Sequence, residues 1–121
     1  MAWILIADDD PDFSSQMALV LREAGHEVCI CANGKDAIAS LHTFAADLIL
    51  LDMRMSYTLD GLDTLRQLRS RKNGPPPEII VISSLDDYAG DLRHKAAELG
   101  IAAWMKKPVN PSQILRLVAP Y

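Results

Sequence analysis

The sequence predicts an α/β protein in which a parallel sheet carries helices on both faces, and three observations lead there. Five short apolar runs alternate with five stretches of helical periodicity. Such a repeated βα order implies right-handed crossovers over a parallel sheet. Some runs, Leu48 to Leu51 above all, are unbroken rather than alternating, which is the pattern of strands covered on both sides. Finally, acids, a hydroxyl and a lysine follow these runs at their C-terminal ends: Asp8, Asp9 and Asp10, then Asp52, Ser83 and Lys107. One edge of the sheet collects them, the edge where open α/β sheets place their chemistry. Periodicity leaves the strand order open.

The elements follow in order. WILIA (3–7) reads as a buried strand. Asp10 is placed as an N-cap, with Pro11 at the first helical position. Phe13, Met17, Val20, Leu21 and Ala24 recur at helical spacing, and Gly25 closes that helix. EVCIC (27–31) is the second strand, and Asn33-Gly34 turns the chain into a short helix with Ala37, Ile38 and Leu41. The central strand ends in Asp52. Asp60-Gly61 introduces a third helix with Leu62, Leu65 and Leu68 inward and Arg66 and Arg69 outward. NGPPPE (73–78) is a stiff linker that cannot be helix. IIVIS (79–83) is the fourth strand, and a fourth helix runs from about Asp86 to Leu99, stopped by Gly100. AAWM (102–105) is a short last strand, and a fifth helix begins near Asn110-Pro111 with Ile114, Leu115 and Val118.

A chain of 121 residues fits one domain and one ordinary core, 1–121, with no interdomain linker, repeat or low-complexity tract. A net charge of -4 argues against non-specific nucleic-acid binding. No apolar run reaches the ~20 residues of a membrane span, and no signal-peptide layout opens the chain; the expectation is a cytoplasmic protein. Cys29 and Cys31 fall on one face of a strand, where a disulfide would be strained and no second cluster supports a metal, so reduced thiols are expected. His26, His42 and His94 read as surface residues.

Singly, each polar residue after a strand has a bland reading: Asp10 and Asp60 as helix caps, Ser83 and Ser84 as turn residues, Lys107 as a solvated lysine. Their combination is specific. ILIADDDP (4–11), LILLDMRM (48–55), VISS (81–84) and MKKP (105–108) resemble the acid pair, phosphoacceptor strand, Ser/Thr position and Lys-Pro of response-regulator receiver domains, the CheY-like modules of two-component signalling. The resemblance covers essentially the whole chain. It implies a flavodoxin-like three-layer (βα)5 sandwich with a five-stranded parallel sheet of order 2-1-3-4-5.

It also implies a phosphoacceptor switch that catalyses its own phosphorylation and dephosphorylation but turns over no separate substrate. Asp52 would take a phosphoryl group from a phosphohistidine of a sensor histidine kinase or histidine phosphotransfer protein. Mg²⁺ would be held by Asp9, Asp52 and the backbone carbonyl of Arg54, with Asp8 acting through water. Carboxylates about 4 Å apart repel by roughly 1–4 kcal/mol per pair, which a hard divalent cation relieves. Lys107 would be the fixed monocation for the phosphoryl oxygens. Ser83 and Trp104 match the family's switch pair, a hydroxyl that moves onto the phosphoryl group and an aromatic that follows it; the alternative for Trp104 is a partly buried core aromatic with a wet N–H. The helix 4–strand 5–helix 5 face would then be remodelled for a partner or a homodimer. The same resemblance suggests a cis Lys107-Pro108 peptide, X-Pro bonds being those where cis costs little, but the sequence leaves cis and trans open.

The pattern is broken in places. Ser56 stands where the family usually has proline, and the loop to Gly61 is one residue longer than usual. Arg54 and Leu85 fall beside the expected phosphoryl group, where bulky side chains would hinder the attacking water and lengthen the phosphorylated lifetime; the alternative is that Arg54 points to solvent or pairs with a loop acid. The expectation is a receiver domain with no output domain in this chain, whether it stands alone or is a piece of a larger protein. Two other functions compete. An aspartyl-phosphate phosphatase would have a second aspartate where Arg54 stands. A flavin-binding module would have a phosphate-cradling loop rich in Ser, Thr or Gly where Asp8–Asp10 stand, and three aspartates repel a phosphate unless a metal intervenes.

Overall fold

The computed structural model describes residues 1–53, 61–70, 76–83 and 90–121, the side chains of 90–93 excepted. The chain alternates β1 (Trp3–Ala7), α1 (Pro11–Glu23), β2 (Glu27–Cys31), α2 (Gly34–Ser40), β3 (Leu48–Asp52), α3 (Gly61–Ser70), β4 (Glu78–Ser83), α4 (Gly90–Glu98), β5 (Ala103–Lys106) and α5 (Pro111–Val118). All strands are parallel, in the order β2-β1-β3-β4-β5. The expected fold and strand order are both present.

Side-chain alternation along the central strands builds two cores. Ile4, Ile6, Leu48, Leu50, Ile80 and Ile82 pack against Met17, Leu21, Ile114 and Val118 of α1 and α5. Leu5, Ile49, Leu51, Ile79 and Val81 pack on the other face against Ala37, Leu65, Leu68 and Ala96 of α2, α3 and α4. The sheet is therefore the middle of three layers. Every residue of β3 is buried, which is why its sequence shows no polar alternation.

The helix ends follow the expected chemistry. The Asp10 carboxylate accepts the N–H groups of Asp12 and Phe13, and Pro11 opens α1. Gly25 ends that helix at φ 96, a conformation that disfavours side chains. Asn33 caps α2, and Asn110 with Gln113 forms a capping box on α5.

Several expectations are corrected. β4 begins one residue earlier, at Glu78, whose N–H donates to the Asp47 carbonyl. β5 is displaced by one residue to Ala103–Lys106, because Lys106 pairs with Ser83 at the end of β4. Arg69 is half-buried rather than outward, and its guanidinium donates to the Gly100 carbonyl. His26 is also half-buried, and its Nδ1 accepts the Ala2 N–H at 2.9 Å. His94 is exposed and lies 3.0 Å from Glu98. The expected start of the fourth helix near Asp86, the capping role of Asp60, Ser84, and most of the Pro-rich linker lie outside the described residues. Cys29 and Cys31 are free thiols, Cys31 buried and 3.2 Å from the Ser40 hydroxyl. Among the described residues no helix is long and apolar enough to cross a membrane.

Candidate functional site

At the C-terminal edge of the sheet, β1 and β3 deliver their acids from one face. Asp8 continues the face of Ile4 and Ile6, and Asp52 that of Leu48 and Leu50, so both carboxylates emerge on the α1/α5 side. Both are buried, at 3% and 4% exposure, an unusual setting for a carboxylate without partners. The Asp8 main chain is tied to the neighbouring strand by its N–H, which donates to the Cys31 carbonyl at 3.0 Å. Its side chain is held by the next turn: Asp8 Oδ1 accepts the Asp10 N–H at 2.9 Å. Asp9 is half-buried beside them. One oxygen from each of Asp8, Asp9 and Asp52 lies within 4.8 Å of the others.

Among the described residues, the cation of the cluster comes from beyond β5. The Lys107 N–H donates to the Ser83 carbonyl at 2.7 Å, fixing where the side chain departs, and the Lys107–Pro108 peptide is cis. The ammonium Nζ lies 2.9 Å from Asp8 Oδ2 and 3.7 Å from Asp52 Oδ2. Its other side faces the Phe13 ring, 4.6 Å from the centroid. Burial alone would lower its pKa, but Asp8, Asp52 and Asp10 outweigh that and hold the Lys107 pKa above the ordinary value. Lys107 is thus a permanent positive charge among the three acids.

One lysine does not neutralise three carboxylates. At separations near those seen here each pair repels by roughly 1–4 kcal/mol, depending on the effective dielectric. The donor set is all hard oxygen, which suits Mg²⁺ rather than a soft metal. An octahedral ion with bonds of about 2.0–2.1 Å puts its ligand oxygens about 3–4 Å apart, close to the spread of this cluster. The residues fit such an ion.

Residues 4–119 match the family model of the response regulator receiver domain. The chain belongs to the response regulator receiver family.

Relatives and structures agree. The chain is 35% identical over 113 residues to the response regulator receiver protein Anae109_2439 of Anaeromyxobacter, covering 93% of this chain and 45% of that protein. It is 27% identical over 115 residues to the sensory transduction protein RegX3 of Mycolicibacterium smegmatis, 95% of this chain and 48% of that one. The receiver thus spans about half the length of these curated relatives. In three dimensions it resembles the receiver domain of the Francisella response regulator 1452, with a TM-score of 0.84 at 25% identity over 99% of this chain and 95% of that one. The chemotaxis protein CheY4 of Vibrio cholerae shares the fold, with a TM-score of 0.87 at 23% identity, covering 99% and 98% of the two chains.

Of the receiver residues singled out in the sequence, Asp8, Asp9, Asp52 and Lys107 stand together. Ser83 is fully buried at the end of β4, on the side of Ile79 and Val81. Trp104, paired with Val81 in the ladder, packs half-buried against that same core, so Ser83 and Trp104 share the α2–α4 side of the sheet. The indole N–H is buried, not wet. Arg54, Ser56 and Leu85 lie outside the described residues. Sequence reasoning missed Phe13 as a site residue, because its helical spacing reads as core. It also missed Gly61, whose missing side chain lets α3 start against the end of β3. Neither has a signal separable from periodicity or turn chemistry in a single sequence.

Proposed function

We propose that this receiver is a Mg²⁺-dependent phosphoacceptor switch with Asp52 as the acceptor, acting as one unit over residues 1–121. The observation that carries the reading is the buried Asp52 carboxylate within 4.8 Å of Asp8 and Asp9 oxygens and 3.7 Å from the Lys107 ammonium. The donor is a phosphohistidine of a sensor histidine kinase or a histidine phosphotransfer protein. An Asp52 oxygen forms a bond to phosphorus as the P–N bond breaks, and the departing imidazole keeps the electron pair and takes up a proton. The product is an acyl phosphate.

Each residue has a distinct part in this reading. Asp8 has one oxygen on the Asp10 N–H and the other facing Lys107, which suits it to contact the ion through water. Asp9 and Asp52 would hold the ion directly, with the Arg54 main-chain carbonyl as the third protein ligand that the family resemblance implies. When bound, Mg²⁺ offsets charge on the phosphoryl oxygens, the kind of electrostatic help that dominates phosphoryl transfer. Lys107 adds a second positive charge to the same oxygens. Ser83 and Trp104, on the far side of the sheet, form the switch that remodels the α4–β5–α5 face. There a groove lined by Trp104, Lys106, Arg116 and Leu117 supports docking of a partner or a second copy. The switch turns over no separate substrate, works in the cytoplasm, and with its net charge of -4 does not itself bind nucleic acid.

The test is to incubate the chain with Mg²⁺ and acetyl phosphate or phosphoramidate and follow its mass. A base-labile gain of one phosphate, absent in Asp52→Asn, is expected. No gain in the wild type, or an equal gain in the variant, refutes the assignment.

A further inference from the structure

We propose that Phe13 is a positioning residue for Lys107, its ring face confining the ammonium over the acid cluster; the inference rests on the phosphoacceptor reading. A lysine carries a long, flexible stem, and its ammonium ordinarily prefers water. Here the side chain is only 23% exposed, with carboxylates of Asp8 and Asp52 on one side and the Phe13 ring on the other. The two walls come from a single turn. The Asp10 N–H donates to Asp8 Oδ1, while the Asp10 carboxylate caps α1 and accepts the Phe13 N–H, so the position of Asp8 and that of the ring are set together. Packing of Phe13 against the α1/α5 core keeps the ring from swinging away.

The ring has a property that a third carboxylate would lack. Its quadrupole attracts a cation without offering a lone pair or a charge, so it restrains the ammonium and does not compete with an incoming phosphoryl group. Lys107 must turn from Asp8 toward that group while remaining in the pocket. A flat, polarisable surface permits the slide; an anionic partner would resist it. Typical cation–π contacts correspond to about a three- to tenfold bias in a local equilibrium.

The experiment compares wild type, Phe13→Leu, Phe13→Tyr and Phe13→Trp. Two readouts are taken: the maximal rate of Mg²⁺-dependent phosphorylation by acetyl phosphate, and the proton NMR shifts of the Lys107 ε-methylene, assigned by their loss in Lys107→Met. Urea unfolding checks that Phe13→Leu is folded. The expected result is an upfield ring-current shift in wild type and both aromatic variants, lost in Phe13→Leu. The rate should fall about three- to tenfold in Phe13→Leu and be largely retained in Tyr and Trp, without a matching change in half-saturating donor. An unshifted ε-methylene in wild type, or a Phe13→Leu rate equal to wild type, overturns the inference. A wild type that takes no phosphate overturns the phosphoacceptor reading instead, and the role of Phe13 with it.

Discussion

Gly61 approaches Met53 so closely that a Cβ on it would stand 2.3 Å from Met53 Cα and 2.6 Å from the Asp52 carbonyl oxygen. The Gly61 N–H donates to the Met53 carbonyl at 3.3 Å, so helix and strand end are joined main chain to main chain. The residue that opens α3 therefore also fixes the backbone that carries Asp52.

Two effects oppose each other in Gly61→Ala. Alanine is favoured over glycine in a helix by about 1 kcal/mol. Overlap with backbone atoms that cannot rotate aside costs typically 1–3 kcal/mol or more. The overlap wins, and urea unfolding should show a net loss of about 1–2 kcal/mol together with slower phosphorylation. A variant as stable as wild type would contradict the close approach.

Trp104 can report on Ser83. The chain has two tryptophans, and Trp3 sits apart, tilted against Phe44 at a ring distance of 5.0 Å. In a Trp3→Phe background, Mg²⁺ with a phosphodonor should change Trp104 emission. Adding Ser83→Ala should leave phosphorylation in place and remove most of that change. An undiminished change in the alanine variant would uncouple the two residues.

His26 should make stability fall in mild acid. Its burial, and then repulsion by the chain's terminal ammonium, hold its pKa below the ordinary 6.5, and its neutral Nδ1 accepts the Ala2 N–H. The unfolded chain therefore takes up the proton first. The stabilisation is complete above about pH 6.5 and is lost as pH falls from there through the lower folded value. His26→Asn retains an acceptor that does not titrate. Urea midpoints between about pH 7.5 and about pH 5 should depend less on pH in that variant. Equal slopes would exclude His26 as the source.

Cys31 should be inert in the folded protein. Burial pushes its thiol up to about 11, and the Ser40 hydroxyl contact opposes that rise without cancelling it. Set against an ordinary value of 9.0, the thiolate fraction near neutral pH falls about a hundredfold. In a Cys29→Ser background, iodoacetamide should therefore label native Cys31 at least about a hundred times more slowly than the urea-unfolded chain. Comparable rates would show that Cys31 is open to solvent.

Much of the architecture was legible in the residues because the central strands are covered on both faces. LILLD and IIVIS have no polar alternation to confuse with helix, and Asp52 marks where the apolar run stops. The acids at 8 and 9 and Lys107 were legible as a group, since polar residues directly after apolar strands must share an edge. Strand order was not in the periodicity; it came with family likeness, because hydrophobic spacing is blind to which strands are neighbours. The last strand shifted by one residue because β5 lies at the sheet margin. There Lys106 is exposed and partnered through its main chain, so its charge reads as loop. Phe13 escaped notice for the opposite reason: an apolar residue on a helix has the same spacing whether it fills a core or cups an ammonium.

The sheet divides the receiver like a bulkhead. Asp8, Asp52 and the Lys107 ammonium occupy one compartment, with α1 and α5, while Ser83 and Trp104 occupy the other. Packed aliphatic strands conduct neither charge nor proton between them. The short path runs over the rim, where the amide of Lys107 hangs from the carbonyl of Ser83. A tug on the lysine at one side is therefore a tug on the fourth strand's last peptide at the other.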